Sequence, residues 1–220
     1  MLNIEKTVLP SPAQWEIIIE GMRNPKNSWD KSDSYKTHIE DPETMETADF
    51  EFFVGEADCG LMESLANGGA VHAKYRRMIP VFLTINAPLY WWKEFDTYKV
   101  GTVANSCSTM HKIHSKEFTM DDFSNEHLYG WWKAELGRTI TILNEARKDF
   151  LITNDKELWW QMIQLLPSSY NQKRTVMLNY EVLCNIYHSR KNHKLDEWHT
   201  FCDWIKTLPY SELITGEEKE

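Results

Sequence analysis

What this chain lacks narrows its function first. No run approaches the roughly 18 consecutive apolar residues of a membrane span. The four cysteines, Cys59, Cys107, Cys184 and Cys202, are widely spaced and form no CxxC pair. That argues against a zinc knuckle or a disulfide scaffold, and reduced thiols are expected. HExxH, GxSxG, GxGxxG and the Walker loop are all missing, which disfavours zincins, nucleophile-elbow hydrolases, Rossmann dehydrogenases and P-loop NTPases. Positive charge is also short: 24 Lys and Arg stand against 33 Asp and Glu, a formal net charge of −9. Nonspecific binding to a nucleic-acid polymer needs the opposite balance, although a local basic pocket for one phosphate is compatible with it. Met1–Lys6 carries neither a long apolar run nor a cleavage-like site, so no signal peptide is expected and the cytoplasm is the expected location. No internal repeat or low-complexity linker interrupts the chain.

What is present is a chain of 220 residues, 42% hydrophobic and 26% charged, long enough for one domain with a well-buried core. Ten tryptophans are many for this length. The stretch Leu89–His111 concentrates the aromatics: Tyr90, Trp91, Trp92, Phe95 and Tyr98 fall within ten residues. Lys99 and Gly101 follow, and then the small polar cluster Asn105, Ser106, Cys107, Ser108 and Thr109. Aromatic planes before a turn rich in hydroxyls and amides suit a flat heterocycle with a polar edge. They equally suit an amphipathic helix that buries its rings and leaves through a polar loop.

In chain order, residues 3–9 read as a short strand. Ser11 and Pro12 read as the cap and first turn of a helix whose apolar face is Trp15, Ile18, Ile19 and Met22. Residues 23–48 are polar and read as a long flexible loop. A strand over 48–54, helices over 57–67 and 70–76, and a strand over 77–85 follow. Pro88 opens the aromatic helix. From about residue 124 the pattern is helical: 126–150, 156–166, 171–190 and 194–206, with an acidic tail frayed over about 214–220. The whole reads as a single α+β domain with a small mixed or antiparallel sheet in the first half and a helical second half.

Among candidate chemical groups, Arg190 offers a planar guanidinium for a phosphate or an imide edge. It could equally be a cation placed near a helix C-terminus. His111 and His114 form an HxxH pair without further ligands at metal-site spacing, so no metal is expected. Cys107 and Ser108 are possible nucleophiles with His111 nearby. Arg76 with Arg77, and Lys173 with Arg174, are short basic patches that suit a solvated face or a phosphate.

Two blocks resemble the flavin-dependent thymidylate synthase family. Asn105 and Ser108 match the second half of its signature R-H-R-x-x-S-x-N-E-x-S-x-R-Y. The longer match runs from Leu166 and Pro167 through Asn179, Leu183, Arg190 and His193 to Glu197, and resembles the late block L-P, then N-x-R-S-L-x-x-F-x-x-x-R, then H-A-Q-x-E. The resemblance spans about residues 50–210. It implies a homotetramer holding FAD and dUMP, with reductive methylation of dUMP from methylene-tetrahydrofolate and NADPH. By that resemblance Ser108 and Arg190 are the catalytic-site residues, and Tyr98, Lys99, Asn179 and Asn185 face the cofactor. Asn105, Ser106, Ser108, Arg174 and Arg190 face the nucleotide. The match has departures. The signature R-H-R falls on Tyr98, Lys99 and Val100, the flavin-contacting Arg on Glu181, and the phosphate-binding Arg on Ile163. Lys99, Lys173 and Arg174 are the cations available to replace them, and Trp91, Trp92 and Tyr98 could stack where the family uses charge. The alternative is a non-catalytic nucleotide-binding or interaction protein that keeps only the fold.

Overall fold

The structure is a computed structural model that describes residues 1–40 and 47–217. Its elements, in order, begin with strand β1 (Asn3–Val8) and helix α1 (Pro12–Arg23), followed by strands β2 (Tyr35–Glu40) and β3 (Thr47–Phe53) and helix α2 (Glu56–Asn67). Strand β4 (Pro80–Pro88), helix α3 (Leu89–Phe95) and strand β5 (Val103–Ser106) lead to the long helix α4 (Gly130–Thr153) and to α5 (Lys156–Leu165). Strand β6 (Asn171–Asn179) and helices α6 (Tyr180–Arg190), α7 (Asp196–Lys206) and α8 (Glu212–Thr215) complete the chain. β1, β4, β6 and β5 form a four-stranded sheet in that order, and β2 pairs antiparallel with β3. The α+β class expected from sequence is the one observed.

Three local expectations change. Residues 171–179 are a strand rather than the start of a helix, so the second half also feeds the sheet. Their burial alternates, with Gln172, Val176 and Leu178 buried and Lys173 and Thr175 exposed, which is strand period rather than helix period. The stretch 23–48 is not one loop: it holds two 3₁₀ turns, Asn24–Lys26 and Trp29–Lys31, then β2 and the start of β3. Residues 41–46 of that expected loop, and 218–220 of the expected frayed tail, lie outside the described residues. Residues 214–215 of that tail are helical, in α8.

The described residues cluster into two compact units. The first comprises residues 1–6, 83–99 and 104–176. Its core is Ile113, Phe118, Phe123, Leu136, Ile140, Leu143, Ala146 and Met162, built where α4 and α5 pack together. α5 starts on Asp155, whose carboxylate accepts from the Glu157 amide at 2.9 Å. Phe118, Phe123 and Tyr170 meet edge to face or tilted. Trp91, Trp92 and Phe95 are also buried, so the aromatic residues of α3 are largely core.

The second unit comprises residues 7–82, 100–103 and 177–220. α1 begins with a reciprocal capping box in which Ser11 N–H donates to Gln14 Oε1 at 2.8 Å and Gln14 N–H donates to Ser11 Oγ at 3.4 Å. Such a cap contributes about 1 kcal/mol. The helix buries Trp15, Ile18, Ile19, Met22 and Arg23. Arg23 is 3% exposed and its Nε donates to Asp58 Oδ1 at 2.5 Å. Asp58 is fully buried, and it also accepts from the hydroxyls of Ser32 and Ser34 at 2.7 and 2.6 Å and from the Ser34 amide at 3.2 Å. One carboxylate thus ties α1, α2 and the turn before β2 together. Burial alone would raise its pKa, but the Ser34 and Ser32 hydroxyls and Arg23 outweigh it and hold the group below the usual carboxylate value.

A folded-state pKa below the unfolded one contributes stability that is present above the unfolded value of about 4 and is lost as pH falls through the folded value. Asp58→Asn should therefore lower unfolding free energy at neutral pH by about 3–5 kcal/mol, because Arg23 would be left buried without its counter-charge. It should also flatten the acid limb of the stability curve below about pH 4. Urea unfolding of both proteins across pH 3–7 measures both effects.

Candidate functional site

Strand β6 carries a connected polar arrangement in the first unit. Because its side chains alternate, Gln172 points inward while Lys173 is exposed, and Arg174 is half-buried. The Arg174 guanidinium donates from Nε to Gln172 Oε1 at 2.9 Å and from Nη1 to Asp96 Oδ1 at 2.7 Å. It also lies over the Trp92 ring at 4.3 Å. Trp92 Nε1–H donates to the Gln172 carbonyl at 2.9 Å. Gln172 Nε2–H donates to the Cys107 carbonyl at 2.8 Å, and Cys107 N–H donates to the Lys173 carbonyl at 2.9 Å. Both ends of the Gln172 amide are engaged, so one orientation alone satisfies it. The result is a guanidinium fixed by an aromatic face and two oxygen acceptors, which is the preorganisation that recognition of an anionic oxygen requires.

Several residues singled out from sequence lie on the segments next to β6 and α3. Asn105 and Ser106 are exposed on β5, the neighbour of β6 at the edge of the sheet. Ser108 is exposed, and its Oγ accepts from the His111 amide at 2.8 Å. Tyr98 is half-buried and Lys99 exposed after α3. Trp91 and Trp92, read from sequence as possible stacking surfaces for a ligand, are fully buried. Trp92 instead stacks on Arg174. Lys173 pairs with Glu5 at 2.7 Å. Sequence reading missed Gln172 and Asp96, because a helix over 171–190 puts neither beside Arg174.

The second unit holds the remaining candidates along α6. Asn179 is its cap, with Oδ1 accepting from the Val182 amide at 3.1 Å. Gly101, at φ +79°, sits so close that a Cβ there would meet Val182 Cγ2 at 3.1 Å and Asn179 Nδ2 at 3.2 Å. The positive φ favours glycine at this position, and the space for a side chain is tight. Asn185 is exposed midway, and Arg190 is half-buried at the far end, over the Trp198 ring at 4.9 Å. Eleven residues of helix separate Asn179 from Arg190 by roughly 16 Å. They therefore lie at opposite ends of the helix and do not converge on one small group.

Glu181 lies in the first turn of α6, where the helix dipole favours an anion. Its Oε2 is 3.9 Å from Arg76 Nη1. Arg76 also donates to Cys184 Sγ at 2.9 Å and to the Ala66 carbonyl at 3.2 Å. Burial pushes the Cys184 thiol up, and the neighbouring Arg76 charge pulls against it. Arg76 is therefore committed to internal partners. Among the described residues, no cluster of three or more His, Cys, Asp or Glu could hold a metal ion, and no helix is long and apolar enough to cross a membrane.

Solved structures match this architecture along its whole length. Thymidylate synthase X (ThyX) from Helicobacter pylori, crystallised with FAD and dUMP, aligns with a TM-score of 0.64 at 15% identity, covering 98% of this chain and 96% of that one. A second structure of that enzyme, also complexed with FAD and dUMP, aligns at 0.64 and 14% identity, covering 98% and 97%. The UMP/dUMP methylase PolB from Streptomyces cacaoi, bound with 5-Br dUMP, aligns at 0.60 and 13% identity, covering 98% and 94%. The chain has the ThyX fold. No protein-family model and no curated protein sequence matches it significantly. At these identities the likeness is one of fold.

Cysteine accessibility gives a direct check of the β5–β6 edge. Cys107 is exposed, Cys59 and Cys184 are half-buried with raised pKa, and burial pushes Cys202 up to about 11. Iodoacetamide on the native protein at pH 8 should label Cys107 first, by about tenfold or more over the other three. Peptide mapping of a time course reads the order.

Proposed function

We propose that this chain is a divergent ThyX-fold protein that binds a pyrimidine nucleotide of the dUMP class. The observation that carries this reading is the end-to-end fold match, to 98% of the chain, with two kinds of protein whose structures hold a dUMP-type ligand. The same coverage is why we read residues 1–220 as one such domain. In this reading Arg174, held by Gln172, Asp96 and Trp92, is a cation for the nucleotide, with Asn105, Ser106 and Ser108 as hydrogen-bonding groups. Ser108 is the candidate for the reacting end, and the resemblance alone assigns Arg190, in the second unit, to a pyrimidine.

The finer reading adds FAD, and with it reductive methylation using NADPH and methylene-tetrahydrofolate. When bound, a reduced flavin would supply hydride. Of the four residues assigned to that cofactor, Tyr98, Lys99, Asn179 and Asn185, Lys99 alone is positively charged. The Asn179 side-chain oxygen caps α6. Glu181 stands where the family's flavin-contacting Arg falls, and its charge would repel a diphosphate. These residues fit a flavin diphosphate poorly, and that observation favours the second reading, a nucleotide-binding protein that does not methylate.

Homo-oligomerisation belongs to the same proposal. Tyr129, Trp131 and Trp132, at the start of α4, are 76%, 61% and 60% exposed, a cluster of large apolar surface of the kind that marks association. Light scattering should give a multiple of the 26.0 kDa chain, and Trp131→Glu with Trp132→Glu should shift it to monomer.

The test of ligand class is a visible absorbance spectrum of the purified protein with and without FAD, alongside a dUMP titration. Bound flavin whose spectrum shifts with dUMP supports the methylating reading. Saturable dUMP binding without flavin supports the binding protein, and no response to either overturns both. Arg174→Ala should weaken dUMP binding about tenfold or more, the loss expected for a charge-assisted bond of roughly 1.5–3 kcal/mol. Arg174→Lys should recover little of it, since the planar fork is lost.

A further inference from the structure

Arg174 is oriented by one set of groups and neutralised by another. Its orientation comes from buried, uncharged partners: Nε donates to Gln172 Oε1 at 2.9 Å, and the guanidinium lies over the Trp92 ring at 4.3 Å. Gln172 is 5% exposed, and its carboxamide is fixed in turn by the Cys107 carbonyl, which accepts from Nε2 at 2.8 Å. The charge is met by Asp96, through a contact of a different kind. One carboxylate oxygen, Oδ1, accepts from one nitrogen, Nη1, at 2.7 Å, and the Asp96 side chain is 47% exposed. Asp96 is the C-cap of α3, the end of a helix at which a negative charge is unfavourable, so α3 itself gains nothing from the carboxylate.

The third nitrogen, Nη2, takes no acceptor among the described residues and is not one of their buried unpartnered atoms. It belongs to the part of the side chain, 15% of its surface, that solvent reaches. The holds on Arg174 therefore respond differently to an incoming anion. Gln172 and Trp92 carry no charge and stay in place. Asp96 competes. A phosphate offers two oxygens to Nη1 and Nη2 together, in the paired bonds that a guanidinium fork favours. Asp96 offers one bond, weakened by the solvent around it. Two anions on one guanidinium also repel each other. Lys173, the next residue along β6, is on the opposite face of the strand and pairs with Glu5 at 2.7 Å, so it does not relieve that repulsion.

We propose that Asp96 is the resident counter-ion of Arg174 and that the phosphate of the ligand displaces it; this rests on the reading of Arg174 as the cation for a nucleotide. Gln172 and Trp92 keep the guanidinium in place through the exchange. Asp96 holds the site neutral when it is empty and lowers its affinity for every anion, so that only a ligand able to take both Nη1 and Nη2 replaces it.

Asp96→Asn in the full chain removes the charge at nearly constant shape. The Arg174 Nε–H resonance of the ¹⁵N-labelled protein, assigned with Arg174→Lys, is followed by NMR while dUMP, deoxyuridine or inorganic phosphate is added. The variant should bind dUMP and inorganic phosphate about fivefold more tightly than the parent, because a half-exposed ion pair no longer has to be broken. Deoxyuridine, which lacks the phosphate, should bind both proteins equally, and the melting temperature should be nearly unchanged. A merely structural Asp96 predicts the reverse, anion binding that falls together with stability. Anion binding that is unchanged or weaker in the variant, or a gain for deoxyuridine equal to that for dUMP, overturns the displacement; the nucleotide reading stands if the parent binds dUMP at this resonance. Tighter phosphate binding by the variant with no dUMP response in either protein supports Asp96 as the counter-ion and overturns the nucleotide reading. No shift of the Arg174 resonance with any anion in either protein overturns the proposal.

Discussion

The change of backbone from strand to helix at Asn179 is the constraint on which the arrangement around β6 and α6 depends. Up to that residue β6 is extended, so Gln172 and Arg174 share one side and can bond to each other. Beyond it, the Asn179 carboxamide takes the Val182 amide and α6 begins. Gly101 approaches the same cap closely and with φ +79°, so a side chain there would be strained and would press on Val182 and Asn179. A helix running through 171–179 would place residues 172 and 174 some 200° apart around its axis and separate them.

Charge compensation is the second theme. Three buried or half-buried arginines each face a carboxylate: Arg23 faces Asp58, Arg76 faces Glu181, and Arg174 faces Asp96. A low-dielectric interior requires such pairing. The degrees of commitment differ. Asp58 is fully buried and multiply bonded, so the Arg23 pair is architectural. The Asp96 side chain is 47% exposed, so its hold on Arg174 is screened by solvent and can be shared with an incoming anion. Arg76 is bound to a carboxylate, a thiol and a carbonyl, which leaves little positive potential at the start of α6.

Local signals in the sequence were legible where local physics decides. Ser11 before Pro12, Asp155 before α5, and Pro88 before α3 mark helix starts because caps and fixed proline φ act within a turn. The apolar spacing of Trp15, Ile18, Ile19 and Met22 identified the buried face of α1. The resemblance carried in the late block, from Pro167 to Arg190, led to the fold that the solved structures share. The same local rules failed at 171–179, where Asn171, Gln172, Lys173 and Arg174 have no strong strand preference and pairing with neighbouring strands overrides propensity.

By itself, the sequence determined the α+β class, most helix starts, the lack of a membrane-spanning run and the net negative charge, since all of these follow from composition or from contacts a few residues apart. Only the tertiary structure decided which side chains are available. It buried Trp91 and Trp92 instead of offering them to a ligand, and it brought Asp96 to Arg174 across 78 residues of sequence and Asp58 to Arg23 across 35. It also left one nitrogen of Arg23 without an acceptor among the described residues. Burial and ion pairing depend on distance in space, and no spacing along the chain encodes which distant carboxylate will meet which guanidinium.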